Sequence, residues 1–138
     1  MMFVLDNSVT MCWLFNDGSA EDLAYAESVL TRLNSAQAVV PSLWGLEVAN
    51  VLFRAESKGF LTEARSQTFV SKLGSLAISV DHETAEHALQ ETLGLARRYK
   101  LSSYDASYLE LALRSGAPLA TLDKELSKAA QLAGVYLR

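Results

Sequence analysis

Four carboxylates stand where separate segments of the chain turn over. Asp6 closes the apolar run Phe3, Val4, Leu5, and Asp123 closes Leu119, Ala120, Thr121, Leu122. Glu47 lies within Leu43-Trp44-Gly45-Leu46-Glu47-Val48-Ala49-Asn50, and Asp105 within Leu101-Ser102-Ser103-Tyr104-Asp105-Ala106. Two of the four follow short apolar runs that read as buried strands, and an open α/β sheet carries its ligand crevice outside the carboxyl ends of its strands. Acids gathered in one crevice repel each other, whereas hard cations such as Mg²⁺ or Mn²⁺ take carboxylate oxygens and water. The four acids therefore point to one divalent-metal site with hydrolytic chemistry.

Each acid also has a plainer use. Asp6 and Asp123 precede helices and could cap them. Asp105 lies three residues after Ser102, a capping-box spacing. At 100° per residue, however, it heads the apolar stripe Tyr108, Leu109, Ala112, where an unsatisfied carboxylate costs several kcal/mol. Glu47 shares a helix side with Asn50, Arg54 and Lys58. That stripe is either a solvated face or an acid and an amide near the metal followed by two cations along a phosphodiester backbone. Arg97, Arg98 and Lys100 offer a second basic edge. Ser8 and Thr121, each two residues from an acid, could support a carboxylate or a metal-held water. Trp13, Phe53 and Tyr108 are candidates for base stacking or for the core. His82 and His87 lack the i, i+4 spacing that sets two imidazoles on one metal, and read as surface residues.

Strands are expected at residues 3–5, 38–40, 77–80 and 118–121, with 135–137 as a possible added edge. Helices are expected at 8–15 and 20–33, then from a Ser42 cap to Lys58 and from a Thr62 cap to Leu73. Further helices are expected at 82–100, at 103–114 and from Asp123 onward. Strands alternating with helices, without tight hairpin turns, argue for a mainly parallel sheet covered on both faces. The hairpin of helices at 44–73, with Val51, Leu52, Phe53 and Phe69, could form a partner surface or an internal core.

At 138 residues the chain reads as one domain able to bury a genuine core. One cysteine, Cys12, excludes an internal disulfide and a cysteine-based zinc cage. No apolar run approaches the ~20 residues that span a bilayer, and no signal peptide is evident, so a cytoplasmic protein without a membrane role is expected. A net charge of -4 gives no general attraction to nucleic acid. Nucleophile elbows and phosphate-cradling glycine loops are absent, which removes support for acyl transfer and nucleoside-triphosphate hydrolysis.

The segments 4–8, 41–50, 101–108 and 118–123 resemble, in order and spacing, the motifs of PIN-domain proteins, and among them the VapC-type ribonuclease toxins. Asn7 departs from the alanine or threonine common at its place. The resemblance implies a three-layer α/β/α sandwich with a central, mainly parallel sheet. It also implies a Mg²⁺- or Mn²⁺-dependent endoribonuclease with Asp6, Glu47, Asp105 and Asp123 as metal-binding, catalytic acids. Ser8, Asn50 and Thr121 would support them. It further implies a homodimer neutralised by an antitoxin that binds operator DNA, with RNA as substrate and cleavage leaving 5′-phosphate and 3′-hydroxyl ends. Two other functions stay open: a catalytically silent PIN-like interaction module, and a housekeeping nuclease in RNA maturation or DNA repair.

Overall fold

In the computed structural model, which describes Met1–Arg138, the chain alternates strands and helices. These are β1 (Met2–Leu5), α1 (Asn7–Phe15), α2 (Ala20–Arg32), β2 (Gln37–Val40), α3 (Trp44–Ser57), α4 (Glu63–Gly74), β3 (Ile78–Val80) and α5 (Thr84–His87). A π-helical turn (Ala88–Thr92), α6 (Leu93–Tyr99), α7 (Ser103–Ser115), β4 (Leu119–Ala120) and α8 (Lys124–Leu132) follow. The four strands are parallel in the order β3-β2-β1-β4.

Successive strand side chains point to opposite faces, and β1 uses both. Phe3 and Leu5 pack with Val9, Cys12, Ala26 and Val29 of α1 and α2. Val4 packs on the other side with Tyr108, Leu109 and Ala112 of α7 and Leu126 of α8. A sheet buried on both faces between helices is the expected three-layer α/β/α sandwich. A third cluster, Met11, Val48, Leu52, Ala55, Leu61 and Phe69, ties the α3–α4 hairpin to α1. Leu52 and Phe69 are therefore core residues, and of the four proposed for a partner surface only Phe53 is exposed.

Several boundaries differ from expectation. Ser42 does not cap α3: its N–H donates to Thr84 Oγ1 at 3.0 Å, and Leu43 takes the cap position without a side-chain bond. The expected helix at 82–100 starts at Thr84, contains the π-helical turn and ends at Lys100 in the left-handed region. Residues 135–137 contribute one parallel bridge, Leu119 to Tyr136, rather than a strand. Thr62 does cap α4, accepting from Arg65 N–H.

Arg114 fastens the β3 end to α7. Its Nη1 and Nη2 donate to Asp81 at 3.1 and 2.7 Å, and its Nε and Nη2 donate to Glu110 at 2.7 and 3.1 Å. Hydrogen bonds from Arg114 hold the Asp81 carboxyl below its ordinary range, against the opposing effect of burial. His87, expected at the surface, is only partly exposed, with Nδ1 3.3 Å from Glu91. No helix is long and apolar enough to cross a membrane.

Candidate active site

The strand order fixes where a crevice must open. From β1 the chain steps to β2 and then β3 on one side, and returns to place β4 on the other side of β1. The switch point therefore lies between the carboxyl ends of β1 and β4, where ligands bind in open α/β sheets. Asp6 directly follows β1, and its N–H is bound by Ala120 O at 3.0 Å. Thr121 and Asp123 follow β4. Glu47 enters from the first turn of α3 and Asp105 from the first turn of α7.

Asp6 is 4% exposed. It occupies the position before α1, yet its side chain makes no capping bond. Ser8 Oγ donates to Asp6 Oδ2 at 2.5 Å and Thr121 Oγ1 donates to the same oxygen at 2.8 Å. Oδ1 receives neither hydroxyl. The two hydroxyls are fixed in turn, because Leu122 N–H donates to Ser8 Oγ and Asp123 N–H to Thr121 Oγ1. Asp123 caps α8, accepting from Leu126 N–H at Oδ2, which leaves its second oxygen outside that bond.

Asp105 forms only half of a capping box. Its N–H donates to Ser102 Oγ, but its carboxylate returns no bond. Ser19 and Asp22 of α2, by contrast, complete both halves. Glu47 accepts from the hydroxyl of Tyr108 at 2.5 Å. Tyr108 is fully buried, so it belongs to the core and positions Glu47 rather than meeting a base. The sequence reading missed this contact, although Tyr108 lies on the stripe headed by Asp105. Asn50 and the cations Arg54, Lys58, Arg97, Arg98 and Lys100 are all exposed. Asn50 sits about 60° round α3 from Glu47 and shares no bond with the acids. Arg97, Arg98 and Lys100 lie at the end of α6, one short loop before Asp105, with Arg98 over the Tyr99 ring at 5.4 Å. Trp13 is committed elsewhere, its indole N–H donating to Ala26 O.

Electrostatics groups the four acids. Burial pushes the Asp105 carboxyl up to about 6, and the negative charges of Asp6, Asp123 and Glu47 add to it. Glu47 is raised by burial and by Asp6, against the lowering effect of the Tyr108 hydrogen bond. Asp6 is raised by burial despite its two hydroxyl donors. No basic side chain contributes to any of the three. The donor set is thus all oxygen, anionic and short of positive charge, which fits a hard divalent cation. No three of the four acids come within 4.8 Å of one another; the group that does is Glu83, Glu86 and His87, where both glutamates are exposed.

The raised Asp105 carboxyl has a signed consequence for stability. Its folded pKa of about 6 lies above the unfolded value of about 3.9, so its contribution is present below the unfolded value and lost as pH rises through the folded one. In chelator, the melting temperature of the protein relative to Asp105→Asn should therefore fall between about pH 4 and pH 6. Thermal melts of the two proteins across that range check this, and a flat difference would contradict the grouping of charges.

A family model described as PIN domain matches residues 3–132. Ribonuclease VapC3 of Pyrobaculum aerophilum is 26% identical over 128 residues, covering 93% of this chain and 94% of the relative. Ribonuclease VapC9 of Mycobacterium tuberculosis is 32% identical over 135 residues, covering 94% and 92%. Among solved structures, VapBC2 from Rickettsia felis, bound to a DNA fragment from its promoter, superposes with a TM-score of 0.68 at 12% identity, covering 100% of this chain and 98% of the other.

Proposed function

This chain belongs to the PIN-domain family, and from that premise we propose that it is a divalent-metal-dependent endoribonuclease serving as the toxin of a toxin–antitoxin pair. One observation carries the chemistry: acids from four separate segments meet at the sheet's switch point with no cationic side chain to neutralise them. The relatives named ribonuclease supply the substrate class.

Asp6, Glu47, Asp105 and Asp123 would hold Mg²⁺ or Mn²⁺. When bound, such an ion lowers the pKa of water and neutralises charge on a phosphodiester. The residues of the chain do the positioning. Ser8 and Thr121 bind one oxygen of Asp6 and leave the other for the ion. Tyr108 orients Glu47 in the same way, and the cap to Leu126 fixes Asp123. Arg54, Lys58, Arg97, Arg98 and Lys100 would meet phosphates along the strand. With no histidine in the crevice to act as base, hydrolysis by water is favoured over attack by the 2′-hydroxyl, giving 5′-phosphate ends.

Two features suit the protein partners of a toxin. A cavity of about 610 Å³ between α1, α2 and α4 is lined by Trp13, Leu30, Phe69 and Leu73, with Arg65 and Lys72 at its edge. It fits an amphipathic antitoxin segment carrying acids. Leu46 and Phe53 stand exposed on one side of α3 and suit a homodimer contact. Operator DNA would be reached through the antitoxin, in the cytoplasm.

The test is incubation of total RNA with the purified, antitoxin-free chain in Mg²⁺, Mn²⁺ or EDTA, with the product ends sequenced. Discrete, EDTA-sensitive cuts with 5′-phosphates support the proposal; a folded protein that never cuts RNA would shift the function to an interaction module. Tyr108→Phe should weaken Mn²⁺ binding by about 10–100-fold, as loss of a group orienting a ligand does. Isothermal titration reads this directly, and unchanged affinity would remove Glu47 from the metal set.

A further inference from the structure

The far end of α3 holds a second cleft, and its use rests on the ribonuclease reading above. At 3.6 residues per turn, Arg54 and Lys58 lie within about 20° of Glu47 around the helix, roughly 10 and 16 Å along its axis. Both are exposed, and the ion pairs of the structure involve only His87 and Arg114 on the basic side. They border a cavity of about 530 Å³, lined also by Phe15, Asp17, Val51 and Phe60. The α3 wall of this cavity thus faces the same way as the acid at the head of the helix.

Phe60 is 75% exposed, yet its backbone is held. Gly59 turns the chain with φ of 79°, and Phe60 N–H donates to Ala55 O at 2.9 Å. An exposed aromatic ring on a fixed turn, flanked by two unpaired cations, meets what single-stranded RNA offers: a base face to stack and phosphates to neutralise. A purely apolar partner would instead desolvate both cations without compensation. Phe53 is not equivalent, since it lies about 120° away from Glu47 around α3.

We propose that this cleft is a nucleobase subsite, in which an unpaired base of the RNA strand leaving the four-acid crevice stacks on Phe60 while Arg54 and Lys58 hold the intervening phosphates. RNA choice then depends on a base several nucleotides from the cut as well as on the bases beside it.

The test uses the full-length Asp105→Asn protein, which should bind without cutting, and a fluorescein-labelled, mixed-sequence single-stranded RNA 12-mer. Adding Phe60→Ala should weaken binding about tenfold and Phe60→Tyr should restore it, whereas Lys128→Ala, at an exposed lysine of α8 that does not line the cleft, should leave it unchanged. Arg54→Ala should lower the salt dependence by about 0.7 in the log–log slope. In the active protein, Phe60→Ala should redistribute the cuts in RNA while hydrolysis of bis-p-nitrophenyl phosphate, which has no base, is unaltered. Unchanged binding and cut positions in a folded Phe60→Ala protein overturn the subsite while leaving the nuclease standing. Weakened antitoxin binding with unchanged RNA binding assigns the cleft to the protein partner and also overturns it. Failure of the parent protein to bind or cut RNA at all defeats the underlying reading.

Discussion

Replacing Asp105 with asparagine is expected to lower kcat/KM on RNA by about 10³-fold or more while leaving the fold in place. The direction follows from what the carboxylate does and does not touch. It makes no side-chain hydrogen bond, and the cap at its helix start uses its backbone N–H and Ser102 Oγ, both kept in the variant. Its charge is held in the crevice against burial and three other acids, so removing that charge relieves repulsion in the ion-free protein. The variant should therefore melt at or above the parent temperature in EDTA at neutral pH. The loss appears only when a cation and a phosphodiester must be held together: a metal site supplies several kcal/mol of charge stabilisation, and each 1.36 kcal/mol is tenfold in rate. Steady-state cleavage in Mg²⁺, with circular dichroism to establish folding, reads both parts. A folded variant that cuts within about tenfold of the parent would exclude Asp105 from the reaction.

Much of this site was legible because its acids sit at strand ends and helix starts, positions that short-range pattern marks well. The apolar run before Asp6 and the stripe after Asp105 both announced their elements, and the hydroxyls of Ser8 and Thr121 stood two residues from an acid. What the pattern could not show was which oxygen each group serves. Asp6 and Asp123 read alike as possible caps, yet one gives its side chain to two hydroxyls and the other does cap. The Tyr108–Glu47 bond spans 61 residues, and only the tertiary fold brings the pair together. Ser42 has good capping chemistry, but α3 starts one residue too late to use it, with Leu43 at the cap position, and Ser42 is tied instead through its N–H to Thr84, 42 residues away. Phe60 carried no periodic signal because it lies in a turn, where its exposure depends on how α3 and α4 fold back on each other.

The Arg114 clamp shows the same limit and carries the largest stability effect. Glu110 and Arg114 are an i, i+4 pair readable from spacing, but Asp81 joins them from 33 residues away. Glu110 is 4% exposed and the Arg114 side chain 22%. Replacing Arg114 with methionine takes from Asp81 and Glu110 the cation they share, the case in which breaking a buried pair costs about 3–5 kcal/mol. For a chain of this size the melting temperature should fall by about 10 °C or more. The pH dependence separates this cause from lost packing. Asp81 is held low chiefly by Arg114, so its contribution is present above the unfolded carboxyl range and lost as pH falls through the folded value. The gap between parent and variant should be widest near neutral pH and narrow towards pH 3, whereas a packing defect would persist at both. Because α7 carries Asp105 and Tyr108 as well as Glu110, loosening the helix should also weaken Mn²⁺ binding at temperatures where the variant remains folded. Unchanged Mn²⁺ affinity there would show that the clamp stabilises the β3 edge alone and leaves the crevice end of α7 in place.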